Sequence, residues 1–294
     1  MRTQEKLIYT NERGESIEFS PASSYHVNFK DVTGLSDVRN AIYSTNSMGQ
    51  DGDTYLGYRI ESRDIDIVGY IKERDKQAAQ NLRRKLNRIL NPQYEATLTY
   101  VFGDFRRVIG CKIDDAPIFK RKPIFEQFTV SLSCLNPFWR EETETREDIA
   151  TWIGGFEFPV PDGLELYDGW EIGYRQPLIV NVYNSGDVKS GIRIEFRAIG
   201  AVTNPVLLNV DTREFIKLNI SLVAGDVLTV STGYGEKAVK LNRGGTITDA
   251  FRYLDVDSSY LQIAVGDNLF RYSADANAEN LEVSIYHNNL YLGV

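Results

Sequence analysis

The stretch from Phe128 to Trp139 constrains this chain more than any other. Phe128, Val130, Leu132 and Cys134 alternate with Thr129, Ser131, Ser133 and Leu135, the two-residue period of a strand with one buried face. The alternation stops at Asn136-Pro137, because proline has no N–H to give to a sheet ladder. Phe138 and Trp139 follow, and then Arg140-Glu-Glu-Thr-Glu-Thr-Arg-Glu-Asp148, a run without an apolar residue. A closing strand, a hard stop, an aromatic plug and a charged spacer mark a domain end. The expected division is therefore an N-terminal domain, residues 1–140, and a C-terminal domain, residues 141–294, with 141–175 as linker or extension.

A length of 294 residues agrees with about two domains. Seventeen Tyr and 14 Phe against only two Met suit sheets better than helix bundles. Net charge is −8 but uneven: residues 1–140 hold 21 Lys+Arg against 18 Asp+Glu, and the remainder 12 against 23. The halves, at +3 and −11, present different surfaces. Such a balance argues against nucleic acid or an anionic membrane as a partner of the whole surface, and leaves a local basic patch open. The first residues lead into a strand-like run without a signal-peptide apolar core. No segment approaches the ~18 apolar residues a membrane helix needs. The expectation is a chain made in the cytoplasm and not secreted by the general route.

In the first half Ile65, Ile67 and Ile71 define one strand face, with Asp64, Asp66 and Tyr70 opposite. Leu98, Tyr100 and Phe102 form a second run, and Ile109, Cys111 and Ile113 a third. Between them, Ala78, Ala79, Leu82, Leu86, Ile89 and Leu90 fall on one helical stripe, which predicts a helix over 74–90 ended by Asn91-Pro92. Lys76, Arg83, Arg84, Lys85 and Arg88 fill its other face, as a solvated surface or a docking surface. Residues 40–57 read as a long loop, of the kind that is usually functional. Its Asp51 and Asp53 lack the glycine and glutamate spacing of a calcium-binding loop. From about Leu178 onward the chain alternates in short runs: 178–182, 192–196, 216–222, 261–265 and 281–285. Gly- and Asp-rich turns separate them, which reads as a β-sandwich. After Leu281 the chain can complete that sandwich or return to the first domain.

Chemistry is sparse. There is no GxSxG, P-loop, GxGxxG or HExxH motif. His26 and His287 are isolated. Asp64 and Asp66 share a strand face about 7 Å apart, but Ile65 and Ile67 claim the buried side, so both aspartates face water. Asp255 and Asp257 read as caps of a turn before Tyr260. Tyr167, Trp170 and Tyr174 either offer an aromatic platform to a sugar ring, or cover an edge of the sandwich or contact another protein. Cys111 and Cys134 sit in apolar alternating runs as buried thiols, with a disulfide or ligand role as the alternative. Two cysteines and two histidines without CxxC or HxxxH spacing give no zinc pattern.

The order of parts resembles the distal tail proteins of long, flexible-tailed bacteriophages: a β-rich domain, one helix ending in Leu90-Asn91-Pro92, the closing strand Val130–Trp139, then a sandwich. Further matches are Gly155-Phe-Glu-Phe-Pro159, Val182–Asp187, Asn204-Pro205, Gly225–Val230, Val239-Lys-Leu-Asn242 and Val265-Gly-Asp-Asn268. Asp267 between Gly266 and Asn268, and the looser Arg252–Asp255, depart from the pattern. The resemblance implies a mainly β fold: an N-terminal β-sandwich or barrel-like ring domain with one α-helix, and a C-terminal galectin-like β-sandwich. It implies a structural, non-enzymatic virion protein with no catalytic residue, cofactor or metal site. Such proteins form a homohexameric ring at the tail tip, with N-terminal domains inside and sandwiches outside. The ring joins the major tail tube protein to the tail-associated lysin or tail fibre, and in some phages holds receptor-binding proteins. Assembly in the host bacterial cytoplasm is implied, with DNA only passing through the lumen and no membrane contact. The 40–57 loop is expected to reach a neighbouring subunit, as belt-like extensions do in relatives. A galectin-like fold does not itself confer sugar binding. Two other functions compete: a carbohydrate-binding adhesin, and a glycan hydrolase, which would need two carboxylates converging in a cleft.

Overall fold

The computed structural model describes residues 5–121, 125–149, 152–154, 173–175 and 179–294, with backbone alone at 121, 152–154 and 173–175. It divides into two compact units, Met1–Glu142 with Leu290–Val294, and Thr143–Asn289.

The first unit contains β1 (Glu5–Asn11), β2 (Ser16–Ser20), β3 (Tyr25–Thr33), β4 (Asn40–Thr45), β5 (Thr54–Ile60), β6 (Arg63–Ile71), α1 (Lys76–Ile89), β7 (Ala96–Phe102), β8 (Phe105–Arg121), β9 (Glu126–Cys134) and β10 (Trp139–Arg140). Eight of the strands follow the order β10-β8-β7-β1-β2-β3-β6-β9. β8 is long enough to close this sheet on itself: its first part pairs with β7, and Lys112–Arg121 pairs with β9 across two register shifts. The closed barrel is filled from the alternating faces expected of the sequence. Ile65, Ile67 and Ile71 of β6 meet Phe128, Val130 and Leu132 of β9, with Leu7, Tyr9, Phe19 and Leu98. At Gly69 the barrel wall admits no side chain, since a Cβ there would lie 2.4 Å from Phe128 Cζ.

α1 matches the helix expected over 74–90 to within two residues at each end. Asp75 caps it, its Oδ2 accepting the Ala78 N–H at 2.8 Å. Leu86 and Ile89 are buried, and the helix packs against β2, β6 and β8. Trp139 is fully buried, its Nε1 donating to the Leu35 carbonyl at 3.0 Å.

The expectation of a long loop over 40–57 is corrected. β4 and β5 form an antiparallel hairpin, running from Asn40↔Ile60 to Thr45↔Thr54 with a bulge at Tyr43/Ser44, and only 46–53 is the connecting tip. The hairpin pairs with no other strand among the described residues.

The second unit contains a sandwich and a separate β12–β13 pair, built from β11 (Thr145–Asp148), β12 (Trp152–Gly154), β13 (Gly173–Arg175), β14 (Ile179–Asn184), β15 (Ser190–Ala198), β16 (Val202–Asn209), β17 (Phe215–Lys217), β18 (Ser221–Leu222), β19 (Val227–Ser231), β20 (Ala238–Arg243), β21 (Thr246–Asp249), β22 (Gln262–Ile263), β23 (Gly266–Ala276) and β24 (Leu281–His287). One sheet runs β11-β24-β15-β19-β20-β21 with β22 on β15; the other runs β14-β23-β16-β17 with β18 on β16. Ile192, Ile194, Phe196, Leu207, Phe270, Val283 and Ile285 meet between them in one core. The polar run after Arg140 is not a free spacer throughout. Thr145–Asp148 pairs along β24, whose Ser284 Oγ donates to Asp148 Oδ1 at 2.6 Å, and Glu144 meets Arg193 of β15 at 2.6 Å. The alternation through Val265 also breaks early. Asn268 is buried and ties the turn by donating to Ala264 O and Gly266 O, which leaves Val265 exposed. β25 (Leu290–Tyr291) then returns to the first unit and pairs with β10.

Candidate assembly surface

The exposed apolar side chains of the first unit concentrate on the β4–β5 hairpin. Ile42 is 66% exposed and Leu56 65%; Tyr43, Tyr55 and Tyr58 are also exposed, and Met48 stands at the tip. A two-stranded ribbon with both faces in water gains little from its own packing. Large apolar groups grouped in this way mark a surface that another protein covers. The tip is organised by polar bonds. Ser44 Oγ donates to Asp53 Oδ2 at 3.1 Å, and Gln50 Nε2 donates to Thr54 Oγ1 at 2.9 Å. Asp53 is thus a turn-holding group, and no cluster of three His, Cys, Asp or Glu that could hold a metal occurs among the described residues. At the root, Arg39 Nη1 lies 3.4 Å from Asp64, and the Glu61 N–H donates to the Arg39 carbonyl at 2.9 Å.

The hairpin was missed in the sequence because its residues do not alternate: Ile42-Tyr43 and Tyr55-Leu56 are apolar neighbours, as suits strands with no buried side. The usable signal was two β-prone runs, 41–45 and 54–60, around the polar, glycine-containing stretch 46–53.

α1 supplies a second surface. Its five cations stand without an acid between Lys76 and Ile89. Arg83 is held by Glu126 at 3.0 Å and lies 4.4 Å over the Phe119 ring, and Arg88 is held by Glu15 at 3.0 Å. Arg84, Lys85, Arg88 and Asn81 line a shallow concavity of about 410 Å³.

The residues weighed for chemistry are dispersed. Asp64 and Asp66 both face water as expected; Asp66 accepts a hydrogen bond from Ser131 Oγ at 2.6 Å. Asp255 accepts from Asn219 Nδ2 at 2.9 Å and from the Asp257 N–H at 3.0 Å, and these bonds lower its carboxyl pKa. His26 is half-buried with Nδ1 2.9 Å from the Pro21 carbonyl, and His287 is buried in the second unit. Cys111 and Cys134 are buried free thiols. Burial pushes the Cys134 thiol up to about 12 and raises that of Cys111 as well. Tyr167, Trp170 and the Gly155–Pro159 stretch lie outside the described residues, as does the side chain of Tyr174.

On the outer face of the larger sandwich sheet, Arg146, Glu195, Arg197, Glu282 and Tyr286 border a concavity of about 430 Å³. Arg193 beside it bonds Glu144 and Glu195, and its guanidinium lies 3.8 Å over the Tyr286 ring. Arg146 meets Asp148 and Arg197 meets Glu282. These charges neutralise one another, and Arg193 already covers the Tyr286 ring.

By comparison with known proteins, this closed β-barrel, with its basic helix and bare apolar hairpin, and the β-sandwich of the second unit stand among the structural components of phage tails. Residues 4–134 match the family described as phage tail protein RIFT-related domain, and residues 185–291 match the siphovirus-type tail component, C-terminal domain. The chain belongs to the siphophage distal tail protein family. Its fold is similar to that of the Dit (gp 19.1) protein of phage SPP1, described as a hub adsorption apparatus of phages infecting Gram-positive hosts. The TM-score is 0.67 at 13% identity, over 97% of this chain and 98% of that one. A chain of the phage P2 baseplate in its activated conformation with Ca is also similar, with TM-score 0.53 at 12% identity over 98% of both chains. No curated protein sequence matches it. No helix among the described residues is long and apolar enough to cross a membrane.

Proposed function

We propose that this tail protein is a non-enzymatic hub subunit that forms a homohexameric ring at the tail tip. The first unit, residues 1–142 with 290–294, is the ring domain and lines the lumen through which DNA passes, and the galectin-like sandwich of residues 143–289 lies outside it. The ring joins the major tail tube protein to the tail-associated lysin or fibre and offers a mount for receptor-binding proteins, after assembly in the host cytoplasm. The observation that carries this reading is the uncovered hairpin. A ring that closes needs heterologous contacts, in which one patch of a subunit meets a different patch of the next. The 40–60 hairpin supplies one member of such a pair, an arm that docks on the neighbouring subunit.

Deleting Ser44–Asp53 removes the tip and the last two residues of β4, none of which is buried. The expected result in multi-angle light scattering is loss of the hexamer, with the circular dichroism and thermal midpoint of the two units retained. A hexamer of undiminished stability would remove the arm from the reading.

A further inference from the structure

The segment Leu290–Val294 belongs to the first unit although the whole second unit separates it from the barrel in sequence. It is held by several independent ties. Tyr291 stands opposite Trp139 and Leu290 opposite Arg140 in the β10–β25 pairing. The Tyr291 hydroxyl donates to Glu141 Oε1 at 2.8 Å, and the Arg107 guanidinium lies 3.9 Å over the Tyr291 ring. Tyr291 and Val294 pack on the barrel core, and Ser36 Oγ donates to the Val294 carbonyl at 2.9 Å. Gly293 lies so close to Ser36 that a Cβ there would come within 3.0 Å of the Ser36 Cα.

What this segment meets is the root of the arm. Residues 34–39 connect β3 to the hairpin, and Arg63 gathers them from below. Arg63 is buried, and its acceptors are backbone carbonyls: Nη1 donates to Gly34 at 2.7 Å and to Leu35 at 2.9 Å, and Nε to Pro137 at 2.8 Å. Nη2 donates to the carbonyl of Leu292. One guanidinium thus binds the arm root, the stop at Pro137 and the returning segment together. Trp139, paired with Tyr291, adds its own bond to Leu35. Without 290–294, a buried charged donor loses its acceptor and Ser36 loses its partner, at the point where the chain turns out into the hairpin.

We propose that residues 290–294 are a strap that locks the root of the 40–60 arm, so that the arm is set for docking only after the second unit has been made and the chain has returned. This rests on the reading of the hairpin as the arm between subunits. Synthesis supplies the delay: at ribosomal rates the residues between arm and strap take on the order of tens of seconds to appear, during which an unlocked arm docks poorly. Premature association of half-made subunits is thereby discouraged.

The test compares the full chain with a variant lacking 290–294, by amide hydrogen exchange at a dilution where light scattering gives monomers, and by ring formation at higher concentration. Exchange over 34–45 is expected to quicken about tenfold in the shortened chain, with 63–71, 126–134 and the second unit unchanged, and ring formation to weaken. Unaltered exchange over 34–45 overturns the strap. Quickened exchange with undiminished rings keeps the strap and overturns the arm. If the shortened chain does not fold, Tyr291→Ala is measured in its place. A rise confined to 34–45 and the strap supports the lock, and a rise spread evenly over the first unit overturns it.

Discussion

Asp226 is the group whose removal has the clearest consequence for the sandwich. It ends the turn Val223–Asp226 that leads into β19, and its side chain is 2% exposed. Arg243 Nε donates to Oδ1 at 2.9 Å, Arg243 Nη2 to Oδ2 at 2.5 Å, and the Val223 N–H to Oδ2 at 2.9 Å. Asp226→Asn keeps an oxygen for Val223 but loses the charge-assisted bonds and turns an NH2 group toward donors. Breaking a fully buried pair costs about 3–5 kcal/mol. Here Arg243 is half exposed and can rehydrate, so the expected loss is about 2 kcal/mol. For a unit of this size that lowers its thermal midpoint by roughly 4–8 °C. The hydrogen bonds from Arg243, the largest influence, hold the Asp226 carboxyl below its ordinary pKa. A carboxyl depressed in the folded state stabilises fully above the unfolded value of about 4, and that stabilisation fades as pH falls through the folded pKa. The gap between wild type and Asp226→Asn in urea melts is therefore expected to be largest at neutral pH and to close in acid. A gap of the same size at pH 7 and in strong acid would refute the electrostatic account.

Three further outcomes are expected. Gly69→Ala should destabilise the barrel by about 1–3 kcal/mol in chemical denaturation, because its Cβ would meet Phe128, the His26 carbonyl and Val27 within 2.8 Å; a neutral change would mean that β6 and β9 separate easily. Cys111 and Cys134, buried and with raised thiol pKa values, should react with a disulfide reagent only as fast as the first unit opens; labelling of native protein at the rate of a free thiol would contradict their burial. Ile42→Ser combined with Leu56→Ser should leave the melting curve unchanged while weakening the ring in light scattering, since neither side chain is buried within the subunit; a large drop in melting temperature would mean that the hairpin packs on its own unit.

What could be read from the sequence depended on whether a residue's neighbours in space impose a period on the chain. β9 was legible because one face of Phe128–Cys134 is sealed in the barrel, and α1 because Leu86 and Ile89 are buried on one stripe. The sandwich strands were legible for the same reason. β4 and β5 were not, since no burial sorts their side chains. Closure of the barrel through the second half of β8, and the return of β25 to β10, are pairings between distant segments that leave no local trace. Arg63 did leave one: it shares parity with Ile65, Ile67 and Ile71, and an arginine on the buried face of a strand announces a polar node.

Barrel closure also bears on how the subunit associates. An open sheet offers its edge N–H and C=O groups to any passing strand, and copies joined that way add without limit. Closing the sheet through β8 and β9 removes that route for the barrel strands. In the proposed ring, contacts made by the first unit then come from what the barrel carries on its outside, and a hairpin with apolar faces is directional where a sheet edge is promiscuous. On the ring reading, each arm fills one seat on the next subunit, and the number of copies follows from the angle at which the arm leaves its root. On that reading the angle is set where residues 34–39 meet Arg63 and the proposed strap, so a few backbone carbonyls around one guanidinium would bear on the geometry of the whole ring.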